Sequence, residues 1–128
     1  MTTFLRAVDS LAVRDGGAAA TAVKRIVADD PYLVGHFPGE PIYPGVFLVE
    51  SARQAVAGLL GGPVTLVAVV EARFAAPLRP GDVALLDVKR VPEQSPSPGV
   101  IRARVVALDS IGARVGHCVV DVRAVHDG

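Results

Sequence analysis

The 128-residue sequence predicts an α+β domain in which an antiparallel sheet surrounds one apolar helix. Two observations carry that prediction. The only long helical pattern, from about Val46 to Leu60, is more apolar than a surface helix, and it lies between two β-like segments before it and four after it. The links between these segments hold the Gly, Pro and Asp residues that form turns. A chain of this length suits one domain, 1–128, large enough to bury about two thirds of its unfolded surface.

In chain order, Phe4–Arg14 alternates as a short strand and stops at the turn signal Asp15-Gly16-Gly17. Ala18–Ala28 carries β-branched Thr21, Val23, Ile26 and Val27, consistent with a strand paired to the first as a hairpin, although the alanines of AAATAVKRI suit a helix equally well. Pro31, Pro38, Pro41 and Pro44 then fix φ and keep their preceding residues extended, so the loop that holds His36 is stiff. Pro44-Gly45 opens the helix and Gly61-Gly62-Pro63 ends it. Strands follow at Val64–Ala76, Val83–Val91, Val100–Leu108 and Arg114–Val125. The last is the clearest: Cys118, Val120, Val122 and Ala124 face one way, and His117, Asp121 and Arg123 face the other, toward water or a partner.

On a helical wheel Leu48, Val49, Ala52, Ala55, Val56, Leu59 and Leu60 share one side. Glu50, Ser51, Arg53, Gln54 and Gly58 share the other, interrupted by Val46, Phe47 and Ala57, so the helix is expected to be buried on most of its circumference. Glu50 is then a carboxylate among apolar neighbours. Burial raises its pKa and Arg53 at i+3 lowers it, and the sequence leaves that balance open. The unpartnered amides at the helix N-terminus point back toward the histidine loop, a place where developing negative charge is stabilised.

Composition narrows the classes. Thirteen basic residues balance thirteen acidic ones, so no global field favours nucleic acid or an anionic membrane. The start MTTFLRAVDS lacks a secretory h-region and no stretch reaches about eighteen uninterrupted apolar residues, which reads as a soluble cytoplasmic protein. The lone Cys118 forms no internal disulfide, and three scattered histidines give no zinc spacing. No metal or other cofactor is expected.

GHFPGEPIYPGVFLVESARQA, from Gly35 to Ala55, resembles the signature of FabZ-type 3-hydroxyacyl-acyl-carrier-protein dehydratases: GHFP, two residues, P, two residues, PGV, then a helix containing EAMAQ. EARFAAPLRPGD, from Glu71 to Asp82, is similar to the family's later strand and RPGD turn. The likeness covers roughly Leu5 to Val125. It implies a hotdog fold, a curved antiparallel sheet wrapped around one long central helix. It also implies a catalytic base at His36, a catalytic acid at Glu50, an amide at Gly45 that holds the thioester oxygen, and substrate contacts at Phe37, Tyr43, Val46 and Gln54. A homodimer or higher homo-oligomer is implied as well, in which His36 of one subunit meets Glu50 of the other.

The chemistry matches those residue types. Dehydration of a 3-hydroxyacyl thioester removes a weakly acidic α-proton and protonates the departing β-hydroxyl, tasks suited to histidine and a carboxyl group. The substrate is expected on acyl carrier protein or coenzyme A. Two other classes stand beside this one, a hotdog thioesterase and a noncatalytic acyl-binding subunit. The plainer readings are an Arg53 ion pair for Glu50 and a core or backbone-bonded role for His36. Basic residues among Arg73, Arg79, Lys89, Arg102 and Arg104 are candidates to meet the acidic carrier. The chain departs from the family in lacking its initial helix and PHRYPFLL-like segment before Leu5, in Tyr43, and in Arg53 where a small residue is usual. Arg53 is expected to narrow the acyl tunnel, bind a polar acyl chain or face solvent. These departures suggest a specialised member serving a polyketide or other secondary pathway.

Overall fold

The first reversal of the chain occurs at Asp15, Gly16 and Gly17, whose φ values of 55°, 65° and 95° lie in the left-handed region that glycine enters without a Cβ penalty. The computed structural model describes residues 8–27, 45–76, 78, 79 and 81–125, with backbone alone at 45–47. The turn joins β1 (Ser10–Arg14) to β2 (Ala19–Arg25); α1 (Gly45–Leu60), β3 (Val64–Phe74), β4 (Val83–Arg90), β5 (Val100–Leu108) and β6 (Arg114–Ala124) follow. All of the expected elements are present. Phe4–Ala7 and Ala28, at the ends of the first two expected strands, lie outside the described residues.

The six strands form one open sheet in the order β1-β2-β4-β5-β6-β3, with every neighbouring pair antiparallel. α1 lies across one face and touches β1, β2, β3, β4 and β6. Leu48, Ala52, Ala55, Val56 and Leu59 of the helix meet Leu86, Val88, Val105, Val120 and Val122 of the sheet in a continuous apolar core. The alanine-rich segment that suited either a helix or a strand is a strand here. Ala20 and Ala22 are fully buried opposite Val88 and Leu86, and their small side chains leave room for the helix. Gly58 has a related role: a Cβ there would stand 2.9 Å from Leu11 Cδ1, so glycine lets β1 approach the helix.

Two expectations about faces are corrected. Ser51, read on the polar side of the helix, is fully buried, because Leu48, Ala52 and Ala55 extend the core contact around it. The second face of β6 is not simply wet, since Val119 and Asp121 are 6% and 4% exposed. Arg102, directly opposite on β5, lays its guanidinium over Asp121 with Nε donating to Oδ1 at 2.7 Å and Nη2 to Oδ2 at 2.9 Å. That fork holds the Asp121 carboxyl below the usual carboxylate range. One buried charge was not anticipated. Lys24 sits on the helix side of β2, opposite Ala84, and is 5% exposed.

The reversal from Arg79 to Asp82, closed by the Asp82 amide on the Arg79 carbonyl at 2.9 Å, braces the end of β2. The Arg79 amide donates to Asp82 Oδ2 at 2.7 Å, the Ile26 amide to the Asp82 carbonyl at 3.0 Å, and the Gly81 amide to the Ile26 carbonyl at 2.9 Å. These bonds fix the chain just before it leaves the sheet toward residues 28–44. At the opposite edge β3 is long and open. It pairs only with β6 among the described residues, shifts register twice, and exposes Val67, Val69, Val70 and Phe74 to 49%, 44%, 48% and 43%.

Candidate active site

α1 begins at Gly45, as the Pro44-Gly45 pair leads one to expect, and its first amides lack partners within the helix. Glu50 follows about 7.5 Å along the axis at the usual rise of an α-helix. The spacing i, i+3, i+4 places Arg53 and Gln54 on the same flank of the helix as Glu50. Arg53 Nε donates to Glu50 Oε2 at 2.8 Å and Nη2 to Oε1 at 2.5 Å, forming a two-pronged contact. The third nitrogen, Nη1, donates to the Val64 carbonyl at 3.1 Å, at the first residue of β3. Gln54 Nε2 donates to Glu50 Oε1 at 3.1 Å. The carboxylate therefore accepts three hydrogen bonds while its side chain stays 32% exposed, and Arg53 is 28% exposed.

Those contacts decide the balance that the sequence left open. The hydrogen bonds from Arg53 hold the Glu50 carboxyl below the ordinary glutamate range; burial pushes it upward and is outweighed, and Gln54 adds to the lowering. The pair at i+3, set beside catalysis as the plainer role for Glu50, is thus present. Arg53 neither simply faces solvent nor stands as an isolated cation; it lies on the carboxylate. The signal was in the sequence as Glu-x-x-Arg-Gln, but geometry was needed to show both prongs on one carboxylate.

Of the other residues expected at the site, His36, Phe37 and Tyr43 lie outside the described residues, as does the side chain of Val46. The structure brings together Glu50, Gln54 and the helix that starts at Gly45. Among the basic residues considered for carrier contact, Arg102 is committed to Asp121, whereas Lys89 and Arg104 are exposed and directly opposite one another on β4 and β5.

Residues 12–105 match the ApeI-like family, described as ApeI dehydratase. The chain belongs to that dehydratase family. Among its relatives is the 3-hydroxyacyl-[acyl-carrier-protein] dehydratase FabZ of Sodalis glossinidius, 38% identical over 109 residues that span 78% of this chain and 70% of the relative. The FabZ of a Wolbachia strain from Drosophila simulans is 36% identical over 107 residues, 78% of this chain and 73% of the relative. In fold, the ApeI-like chain is similar to the dehydratase heterocomplex ApeI:P from Xenorhabdus doucetiae, with a TM-score of 0.66 at 18% identity, covering 84% of this chain and 88% of that one. A hypothetical thioesterase with coenzyme A from Streptococcus pneumoniae gives a TM-score of 0.69 at 13% identity, covering 93% and 88%. At such identities these likenesses speak for the fold alone, and the fold is the hotdog that the GHFP loop and its following helix implied. Membership bears out the expected reaction class, dehydration of a 3-hydroxyacyl thioester by a hydro-lyase.

Proposed function

We propose that this ApeI-like dehydratase acts on a 3-hydroxyacyl group carried on acyl carrier protein, with His36 as base, Glu50 as proton donor and the Gly45 amide as the donor to the thioester carbonyl. The observation that carries this reading is the location of Glu50 and Gln54 on the helix that starts at Gly45, in the register of the GHFP…PGV…E signature. His36 takes the α-proton, and the electron pair forms the α,β double bond. The β-carbon–oxygen bond breaks, and Glu50 protonates the oxygen so that it departs as water. The Gly45 amide, at the positive end of the α1 dipole, stabilises charge on the thioester oxygen as it develops. Phe37, Tyr43 and Val46 line the acyl group, and no cofactor takes part. Exposed Lys89 and Arg104 supply a cationic surface for the acidic carrier.

A site shared between two copies of the chain completes this reading. The open edge of β3 and its exposed valines support pairing of two β3 strands into a continuous sheet. The cytoplasm is the compartment this reading assigns, and the Arg53 and Tyr43 departures favour a specialised pathway over general fatty-acid synthesis.

Hydration of a crotonyl thioester, followed as loss of enoyl absorbance, tests the assignment. Wild-type turnover is expected, with losses of about 10²-fold or more in His36→Ala and in Glu50→Gln. Co-assembly of the two variants in equal amounts should restore about a quarter of wild-type activity, because half the dimers then hold one intact site. Failure to restore activity would exclude sharing, and release of free thiol detected with dithionitrobenzoate would point to thioester hydrolysis.

A further inference from the structure

We propose that Arg53 is a positioning residue that sets the pH range in which Glu50 works, by gripping both carboxylate oxygens while tied to the Val64 carbonyl at the start of β3. The inference rests on the reading above that Glu50 is the proton donor. Arg53 Nε and Nη2 point at the two oxygens of one carboxylate, at 2.8 and 2.5 Å, and Nη1 is anchored 3.1 Å from a backbone carbonyl of a different element. A planar guanidinium held on two sides has little freedom to swing away, unlike a lysine ammonium on a flexible stem. Gln54 holds the same carboxylate from the next position on the helix.

The surrounding charges leave Arg53 as the dominant influence. Among the described residues of the elements packed against α1, the ionisable side chains on the helix side are Lys24 of β2, Cys118 of β6 and, at an exposed strand end, Arg90 of β4. Burial pushes the Cys118 thiol up to about 11, so it is neutral throughout the working range. Among the described residues, the causes acting on the Glu50 carboxyl are Arg53 first, then burial in the opposite sense, then Gln54.

The consequence is a distribution of one proton over two groups. Dehydration starts from neutral His36 and protonated Glu50, and hydration starts from the imidazolium and the carboxylate. Holding Glu50 charged disfavours the first arrangement relative to the second. Both carry the same number of protons, so the rate in either direction follows the singly protonated pair. Its acid limb then reports Glu50 and its alkaline limb reports His36. Arg53 therefore governs the acid limb only.

The test compares wild type, Arg53→Ala and Arg53→Lys by two readouts: titration of the Glu50 side-chain carbonyl carbon by ¹³C NMR, and the pH profile of kcat/KM for crotonyl-thioester hydration. In Arg53→Ala the carboxyl titration and the acid limb should both move to higher pH while the alkaline limb stays in place. Arg53→Lys, which keeps the charge and loses the fork, should lie between. An unchanged Glu50 titration in Arg53→Ala overturns the proposal, whatever the variant does to thermal stability. Absence of turnover in wild type would instead remove the catalytic reading, and the NMR titration would still decide whether Arg53 governs Glu50.

Discussion

The molecule holds two arginine–carboxylate forks of the same chemistry and opposite construction. Arg53–Glu50 lies along one helix at i, i+3, at the margin of the core, with both side chains roughly a third exposed. Arg102–Asp121 crosses between neighbouring strands, separated by 19 positions in the chain, and its carboxylate is 6% exposed. Each fork holds its carboxyl below the usual range. The local fork joins residues a turn apart on one helix, and the fold adds the tie from Arg53 to the Val64 carbonyl of β3. The cross-strand fork exists only when β5 and β6 pair in this register. One therefore sits at the carboxylate proposed above as the proton donor, and the other records and reinforces sheet pairing. Asp121 is shielded mainly by the arginine above it on the outer face of a single-layer sheet, so its stability contribution depends on that one partner.

Substitution should separate the two roles. Glu50→Gln keeps the shape but removes the charge and one of the two oxygens that accept from Arg53, and it should lower kcat/KM by about 10²-fold or more while Tm moves by only a few degrees. Arg102→Met should give the reverse pattern. It leaves the Asp121 carboxylate without its principal partner, and a fall in Tm on the order of 5 °C is expected with kcat/KM within about threefold of wild type. A matching fall in activity at unchanged Tm would place Arg102 in the reaction and break the contrast.

Acid provides a second, smaller discrimination. Both carboxyls have folded-state pKa values lowered from ordinary values of 4.5 for Glu50 and 3.8 for Asp121. A lowered folded pKa contributes stability that is present above the unfolded value and is lost as pH falls through the folded one. Wild type should therefore lose stability as pH drops below about 4, as read from Tm against pH. Asp121→Asn should flatten that slope more than Glu50→Gln, because the strand-bridging carboxylate is the more deeply covered of the two.

The smallest effect is expected from a third arginine. Arg14 reaches Asp15 and Asp87 on the rim of the sheet, with its side chain 40% exposed. Arg14→Ala should change stability by about 0.5 kcal/mol or less in chemical denaturation. A loss as large as that of Arg102→Met would mean that exposure does not distinguish the pairs.

Much of the architecture was legible because it depends on near neighbours in the chain. Asp15-Gly16-Gly17, Pro44-Gly45 and Gly61-Gly62-Pro63 punctuate the chain where its elements begin and end, and alternation in Arg114–Val125 gave the core face of β6 correctly. The errors fell where burial arises from distant neighbours. Ser51 looked polar on a wheel, yet it is fully buried; Asp121 was read as facing water or a partner, yet a side chain from the adjacent strand closes over it. AAATAVKRI could not choose between helix and strand by propensity, and pairing with both β1 and β4 chose for it.

The same division runs through the site. By itself the sequence determined the succession of strands and helix and the place of a carboxylate a turn and a half into that helix, because turn chemistry and periodicity are local properties of the chain; the hotdog architecture and the family came from the resemblance of its GHFP…PGV…E motif. Tertiary structure alone decided the strand order, the open β3 edge and the charge state of Glu50. That last outcome rested on competing effects of similar size, burial against a guanidinium, and their balance depends on the positions of a few atoms: two prongs of Arg53 on the carboxylate and a third nitrogen fixed to Val64 on another element.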